Sequence, residues 1–354
     1  MNLRPASDCS PNQKLSILLA TKDQATTLER CLRGIHEQTF RDYELLILDD
    51  GSTDGTSDIL HRWASLDPRI RLFRNPAAQG VIPAYQFLQG RARGEFIWHA
   101  ASDDFCVDPN FLREGFRLLA ISPQAAGFFC NTLRVMLPVE KPHGIWGSSG
   151  TAKYFPPKIF IKGFLLGRIV APGCATVLRR NLFLSLGGFM REAGALCDLL
   201  AVALAGSQGG MIFTGTLSMT SGTYQDKANF GSSFDSWSQL ASLAFVENSL
   251  RAKYGIDWIE GKHLKTFRYL YLGKFFDIEH RYRQTRKCPM ARQELTLIAS
   301  RIIESYKNKA LLNLPDRDNV FNEKELLRFP FEKRLLRKIQ RFFDRQRYGF
   351  EVSL

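Results

Sequence analysis

Tyr43-Glu44-Leu45-Leu46-Ile47-Leu48-Asp49-Asp50-Gly51-Ser52-Thr53-Asp54-Gly55-Thr56 runs from an apolar strand through two adjacent carboxylates into a turn, and then into a helical pattern over Thr56 to Ala64. The near-continuous apolar run marks a strand covered on both faces, since a half-exposed strand would alternate apolar with polar residues. The same unit recurs on either side. Leu15 to Ala20 reads as a buried strand, followed by Leu28, Cys31, Leu32 and Ile35 at helical spacing. A strand over Ile70 to Phe73 follows, then a helix around Tyr85 to Ala92 and a strand over Phe96 to His99. Strands alternating with helices predict an α/β fold: a mixed, mostly parallel sheet flanked by helices.

That texture holds from Lys14 to about Tyr224 and then gives way to helical patterns alone, over Ser236–Tyr254, Leu264–Arg283, Met290–Lys307 and Phe331–Arg347. The expected organisation is a polar N-terminal tail over 1–13, an α/β domain over 14–225 and a helical region over 226–354. With 45% hydrophobic and 23% charged residues the chain has globular proportions, which excludes a disordered or fibrous protein. The best apolar stretch, Ile159 to Leu178, is broken by Lys162 and Arg168, so no membrane-spanning helix is expected. Met1 to Lys14 lacks the apolar core of a secretory signal. The seven cysteines are scattered without a CxxC pair, which predicts free thiols and a reducing, cytoplasmic compartment.

Two carboxylate pairs stand where strands should end: Asp49-Asp50, and Asp103-Asp104 after Phe96 to Ser102. Ligands of open α/β sheets bind beyond the carboxyl ends of the strands, so both pairs are expected to face one crevice. Adjacent carboxylates repel, and a divalent cation carried with a diphosphate is a natural counter-charge. Taken singly, Asp-Asp-Gly-Ser also suits a plain turn, and Asp103-Asp104 a helix cap before Pro109.

The segments Ser16-Ile17-Leu18-Leu19-Ala20-Thr21-Lys22-Asp23, Cys31-Leu32, Gln38-Thr39-Phe40, Asp49 to Thr56, Asn75 to Gly80, Gly94-Glu95-Phe96-Ile97 and Ser102-Asp103-Asp104, in this order and spacing, resemble the opening of family 2 glycosyltransferases. The resemblance covers roughly residues 14 to 130 and continues more loosely to about 222. It implies a GT-A fold, a nucleotide-sugar donor, uridine-based by expectation, and a divalent metal, Mn²⁺ or Mg²⁺. By position, Thr21 and Asp23 would line the nucleotide pocket, Asp50 would contact the base, Asp103 would lie near the ribose or sugar, and Asp104 would contact the metal. The chain departs from the family at Lys22-Asp23, where Tyr-Asn is frequent, and at Ala101, where an acid is frequent.

The family's catalytic base stands at the start of a late helix, usually as Glu-Asp. The matching region here runs Ala171-Pro172-Gly173-Cys174-Ala175-Thr176-Val177-Leu178, then Leu186-Gly187-Gly188-Phe189, then Leu196-Cys197-Asp198-Leu199-Leu200, with Asp198 the lone carboxylate of the apolar run Ala193 to Leu204. Asp198 is therefore the implied base, while Cys197 in place of the first acid keeps Glu192 open as a substitute and a plain N-cap role for Asp198 open as well. Gly187-Gly188-Phe189 resembles the family turn before the acceptor region and also suits an ordinary helix stop. Trp146 and the Pro-rich stretch Pro138 to Pro157 are expected to form a flexible loop on the acceptor side.

Residues 324 to 347 hold nine basic side chains against three acids, with Phe331, Leu335, Leu336, Ile339, Phe342 and Phe343 on one helical face. Such a helix, over 331–347, suits an anionic membrane surface, and equally a terminal helix docked on its own domain. No nucleic-acid module is present, so no nucleic-acid partner is expected. The expected activity is a metal-dependent, inverting transfer to a carbohydrate or lipid-linked acceptor, in surface polysaccharide or glycolipid synthesis, at the inner face of the cell membrane. Two rivals stand beside it: nucleotidyl transfer, without the GxxxxGK[ST] loop, and a non-catalytic scaffold of the same fold in a membrane-associated assembly.

Overall fold

The computed structural model describes residues 13–137, 141–224, 236–254 and 267. The chain divides between Ser233 and Phe234 into two compact units. In the first, strands β1 (Leu15–Thr21), β2 (Tyr43–Asp49), β3 (Ile70–Arg74) and β4 (Phe96–Ala101) pair in parallel in the order β3-β2-β1-β4. Every residue of β1 and β2 is buried, in keeping with their near-continuous apolar sequences. Helices α1 (Leu28–His36), α2 (Thr56–Leu66) and α3 (Val81–Gln89) make the crossovers. Leu28, Cys31, Leu32 and Ile35 bury the inner face of α1. The third helix lies earlier than the expected Tyr85 to Ala92, because Pro83 is tolerated in the first turn while Gly90 ends the helix.

Beyond β4 the pairing turns mixed. Strand β5 (Asp104–Cys106) follows β4 directly, and α4 (Phe111–Ile121) leads into β6 (Gly127–Leu137). Next come β7 (Lys141–Trp146), β8 (Lys153–Phe155), α5 (Pro157–Leu165), β9 (Thr176–Arg179), α6 (Arg180–Ser185), α7 (Cys197–Gly209) and β10 (Met211–Tyr224). Strand β9 is antiparallel to both β4 and β6, β10 is parallel to β6, and β5 is antiparallel to β10. The stretch expected as a flexible acceptor-side loop instead contains β7, paired with β6, and β8, paired with β10; Trp146 lies opposite Thr132. Backbone hydrogen bonding to long neighbouring strands outweighed its Pro and Gly content.

In the second unit, α8 (Ser236–Tyr254) has the bounds its sequence pattern set, and Leu243, Val246 and Leu250 bury one face. The N-terminal tail through residue 12, the expected helices after Tyr254 and the basic segment 331–347 lie outside the described residues. Among the described residues no helix is long and apolar enough to cross a membrane, and Cys31, Cys106, Cys130, Cys174 and Cys197 are free thiols.

The amino ends of the strands are tied by Glu44. Its buried carboxylate accepts from Ser16 Oγ at 2.7 Å and from the Arg93 N–H at 2.7 Å, and pairs with Arg71 at 2.7 Å. Removing one partner of a buried pair strands the others, so Glu44→Ala is expected to cost about 3 kcal/mol. Denaturant unfolding should show this as a lower midpoint at an unchanged slope.

Candidate active site

Register assembles the site. Thr21 is opposite Asp49 across β1 and β2, and Ala20 is opposite Ala101 across β1 and β4, so these carboxyl ends lie side by side. The antiparallel β9 starts at the same end, because Val177 pairs with Trp98. The 3₁₀ turn Gly173–Ala175 that precedes β9 therefore stands over the end of β4.

The two members of the first carboxylate pair diverge. Asp49 turns inward: its oxygens accept from the Ser52 N–H at 2.9 Å and Ser57 Oγ at 2.5 Å, and Arg74 stands 3.6 Å away. The expectation that both pairs face the crevice is thus corrected for Asp49, which organises the turn into α2. Asp50 reaches the other way and accepts from Asn75 Nδ2 at 2.7 Å, the Gln79 N–H at 2.9 Å and the Gly80 N–H at 2.8 Å. It thereby suspends the loop Asn75–Gly80 beside the end of β1, and its own N–H donates to the Thr21 carbonyl at 2.9 Å.

Thr21 is buried, and its Oγ1 has no hydrogen-bond partner among the described residues. An unmet buried hydroxyl is costly, and it fits a wall that a polar ligand completes. Asp23 takes a left-handed backbone, φ 50°, rare for a residue with a side chain. Its carboxylate accepts from the Thr53 N–H at 2.8 Å while its N–H donates to Ser52 Oγ at 3.0 Å, so it braces the loop 51–54. Lys22 is exposed.

Asp103 occupies the turn between β4 and β5, and Asp104 begins β5. Burial pushes the Asp103 carboxyl above the ordinary carboxylate range. Burial, and then the neighbouring Asp103 charge, push Asp104 up to about 7, against hydrogen bonds from the Cys174 thiol, the Ser221 side chain and the Gly222 N–H (3.1 Å). Beneath the end of β4, His99 is stripped of its charge by burial, its pKa lowered to about 3, and packs among Phe183, Phe189 and Tyr85.

Asp198 lies in the first turn of α7, where the helix dipole favours a carboxylate. Its Oδ1 accepts the Leu199 N–H at 2.7 Å, and its side chain rests on Gly173. The neighbouring Cys174 thiol is raised first by burial and then by the charges of Asp104 and Asp198. Cys174 therefore stands between the two carboxylates, and Asp198 belongs to the same end of the sheet as Thr21, Asp50, Asp103 and Asp104. Glu192 is exposed on the 3₁₀ segment Arg191–Leu196. Gly187 and Gly188 take left-handed φ of 104° and 63° behind α6, the helix-stop geometry, and Phe189 joins the aromatic cluster.

Two participants, Ser221 and Gly222, escape the sequence reading, and two more, Gly173 and Cys174, stand in its matching region without a role of their own. Ser221 and Gly222 reach Asp104 only through the antiparallel pairing of β5 with β10, 118 residues apart for Gly222, and no local pattern announces such a pairing. Gly173 and Cys174 carry a local signal, standing in the stretch that resembles the family's segment before the catalytic base.

Among the described residues no three His, Cys, Asp or Glu side chains cluster so as to hold a metal by themselves. Asp103 and Asp104 offer hard oxygen ligands whose mutual repulsion a cation would relieve, and Mg²⁺ commonly accepts one or two carboxylates with phosphate oxygens completing its shell. The residues fit a cation that arrives with a diphosphate.

Residues 16–180 match the family model described as glycosyl transferase family 2. The chain is 31% identical over 103 residues to a putative glycosyltransferase, EpsH, of Bacillus subtilis, covering 29% of each chain. It is 32% identical over 92 residues to the GalNAc(5)-diNAcBac-PP-undecaprenol beta-1,3-glucosyltransferase of Campylobacter jejuni, covering 26% of this chain and 30% of that one. The matched segment thus spans less than a third of either relative. TarS of S. aureus in complex with UDP-GlcNAc superposes with a TM-score of 0.61 at 13% identity, over 88% of this chain and 97% of that one. A mannosyltransferase, PcManGT from Pyrobaculum calidifontis, in complex with GDP-Man and Mn²⁺, gives 0.52 at 16% identity, over 86% and 84%. At those identities the likeness is one of fold, and the α/β unit has the GT-A architecture of these neighbours.

If Asp49 shapes the turn and Asp50 holds the loop Asn75–Gly80 beside a ligand, their variants separate. Asp49→Asn is expected to lower stability by about 1–3 kcal/mol, the cost of disturbing a buried acceptor, with nucleotide affinity unchanged. Asp50→Asn should weaken nucleotide binding about tenfold, as one charge-assisted contact and its loop are lost. Denaturant melts and nucleotide titration of both variants check the pair.

Proposed function

We propose, from the premise that residues 16–180 belong to glycosyl transferase family 2, that the chain moves a sugar from a nucleoside-diphosphate donor, uridine-based, to a hydroxyl of a carbohydrate or lipid-linked acceptor, with inversion at the anomeric carbon. The observation that carries the reading is the assembly at one sheet end of Asp103 and Asp104 on one side of the Gly173–Ala175 turn and Asp198 on the other. A diphosphate end and a proton-accepting end are the two halves that such a transfer requires.

In this reading Thr21, Asp23 and the loop held by Asp50 receive the nucleoside, and Asp103 lies toward the ribose or sugar. Asp104, with Asp103, faces the diphosphate. A divalent cation held there supplies positive charge against the departing diphosphate. Asp198 accepts the proton of the acceptor hydroxyl as its oxygen bonds to the anomeric carbon, while the electron pair of the old glycosidic bond leaves on the nucleoside diphosphate. Attack from the face opposite the leaving group inverts the centre, and no covalent enzyme intermediate forms.

Support for the donor class comes from the family match and from neighbours of the same fold described with UDP-GlcNAc and GDP-Man. Support for a lipid-linked acceptor comes from the name of the C. jejuni relative, and from the basic amphipathic pattern of 331–347, which would meet an anionic membrane surface. The deciding experiment is a panel of UDP-, GDP- and dTDP-sugars with and without Mn²⁺, read by thermal shift and by nucleoside-diphosphate release. Binding to the native state alone raises the melting temperature. Shifts with uridine nucleotides that grow with Mn²⁺, with UDP released, are expected; pyrophosphate release from a nucleoside triphosphate would instead select nucleotidyl transfer, and neither product would leave the scaffold reading.

A further inference from the structure

The bare backbone of Gly173 is where the geometry around Asp198 is set. A Cβ built on Gly173 would fall 2.1 Å from Asp198 Oδ2 and 2.7 Å from both its Cγ and its Cβ. The obstacle includes the root of the side chain as well as its tip, so a rotamer change alone does not clear it. Asp198, or the start of α7 that bears it, would have to move by about 1 Å, the gap between such a contact and ordinary van der Waals separation.

Gly173 itself is mounted rigidly. Trp98 Nε1–H donates to the carbonyl of Cys174 at 2.7 Å, and Thr176 Oγ1 donates to the carbonyl of Pro172 at 2.6 Å. Trp98 belongs to β4, and Val177 just beyond the turn is in register with it, so the turn is fixed to the centre of the sheet. From the same turn the Cys174 thiol bonds Asp104. One short segment thus touches both the diphosphate-side carboxylate and the proposed base.

We propose that Gly173 is a positioning residue for Asp198: by carrying no side chain it lets the carboxylate settle against a turn anchored by Trp98, which fixes the base relative to Asp104. This rests on the reading of Asp198 as the proton acceptor. Misplacing a catalytic group by about 1 Å can cost on the order of 10²-fold in rate.

The test is a double-substitution cycle in the full chain: Gly173→Ala, Asp198→Asn and the two combined. Turnover is read as UDP release from UDP-GlcNAc, or from whichever sugar nucleotide the panel selects, where the same base would take a proton from water or acceptor. Nucleotide binding is read separately, from the thermal shift with UDP and Mn²⁺. Gly173→Ala is expected to lower kcat about 10²-fold with donor KM and the UDP shift unchanged. In the Asp198→Asn background it should have almost no further effect, because groups that act through one another are not additive. An unchanged kcat in Gly173→Ala, an equal loss in both backgrounds, or a loss shared with UDP binding would each overturn the proposal. Full turnover in Asp198→Asn would instead overturn the base assignment, a distinct result. Should Gly173→Ala fail to fold, Trp98→Phe, which deletes the indole N–H that anchors the turn, runs through the same cycle under the same criteria.

Discussion

Asp198→Asn should lower turnover about 10³-fold, the middle of the range for loss of a general base, while leaving the fold and the nucleotide-induced thermal shift in place. Asparagine keeps a carbonyl oxygen for the Leu199 N–H and fits the space over Gly173, so those two contacts are retained while proton-accepting power is removed. The position suits the role: the first turn of α7 stabilises an ionised carboxylate, and the Gly173–Ala175 turn holds it across Cys174 from Asp104. Turnover that survives the substitution would overturn the assignment of the base to Asp198 and move it to Glu192. The measurement that separates the two acids is the same assay on Glu192→Gln, which is expected to retain turnover, since Glu192 is exposed on the preceding segment.

Asp104→Asn should have two opposite effects. Turnover is expected to fall by about 10²-fold or more as stabilisation of the developing diphosphate charge is removed, and the Mn²⁺-dependent part of the UDP shift should vanish. Stability of the metal-free protein should rise at alkaline pH. The sign follows from the carboxyl's position: burial and the Asp103 charge raise its folded pKa to about 7, above its ordinary value of 3.8. Between those values the unfolded chain releases a proton that the folded chain keeps, so this group's contribution to stability declines as pH rises from about 4 to 7 and stays at its least favourable above that. Asparagine has no such dependence. With chelator present, Asp104→Asn should melt higher than the parent chain at pH 8 and show a smaller advantage, or none, at pH 5. An equal offset at both values would mean that the carboxyl is not raised.

Why the same dipeptide behaves differently at two positions shows where sequence reading reaches its limit. Asp49 and Asp50 are adjacent and chemically identical, and along the chain both mark a strand end. Side chains of successive strand residues point to opposite faces. Only register and the partners on each face, Ser57 and Arg74 against Asn75 and Gln79, make one the acceptor that shapes the turn into α2 and the other the anchor of the loop Asn75–Gly80. Glu44 teaches the same lesson in reverse: an acid inside an apolar strand, it is buried and tied to Ser16 and Arg93 at the end of the sheet away from the site.

Sequence by itself determined the order of strands and helices from β1 to β4, because apolar runs and helical spacing are local signals that burial enforces. It also pointed to Asp50, Asp103 and Asp104, since ligands of parallel sheets collect where strands stop, while Asp198 came only from the resemblance to the family whose model residues 16–180 match. Only tertiary structure decided which carboxylate faces inward, that the Pro-rich stretch would pair as strands, and that the start of α7 would set Asp198 against Gly173, beside the Cys174 that bonds Asp104. Those outcomes depend on contacts between separate elements, and the chain between them carries no record of how closely they approach.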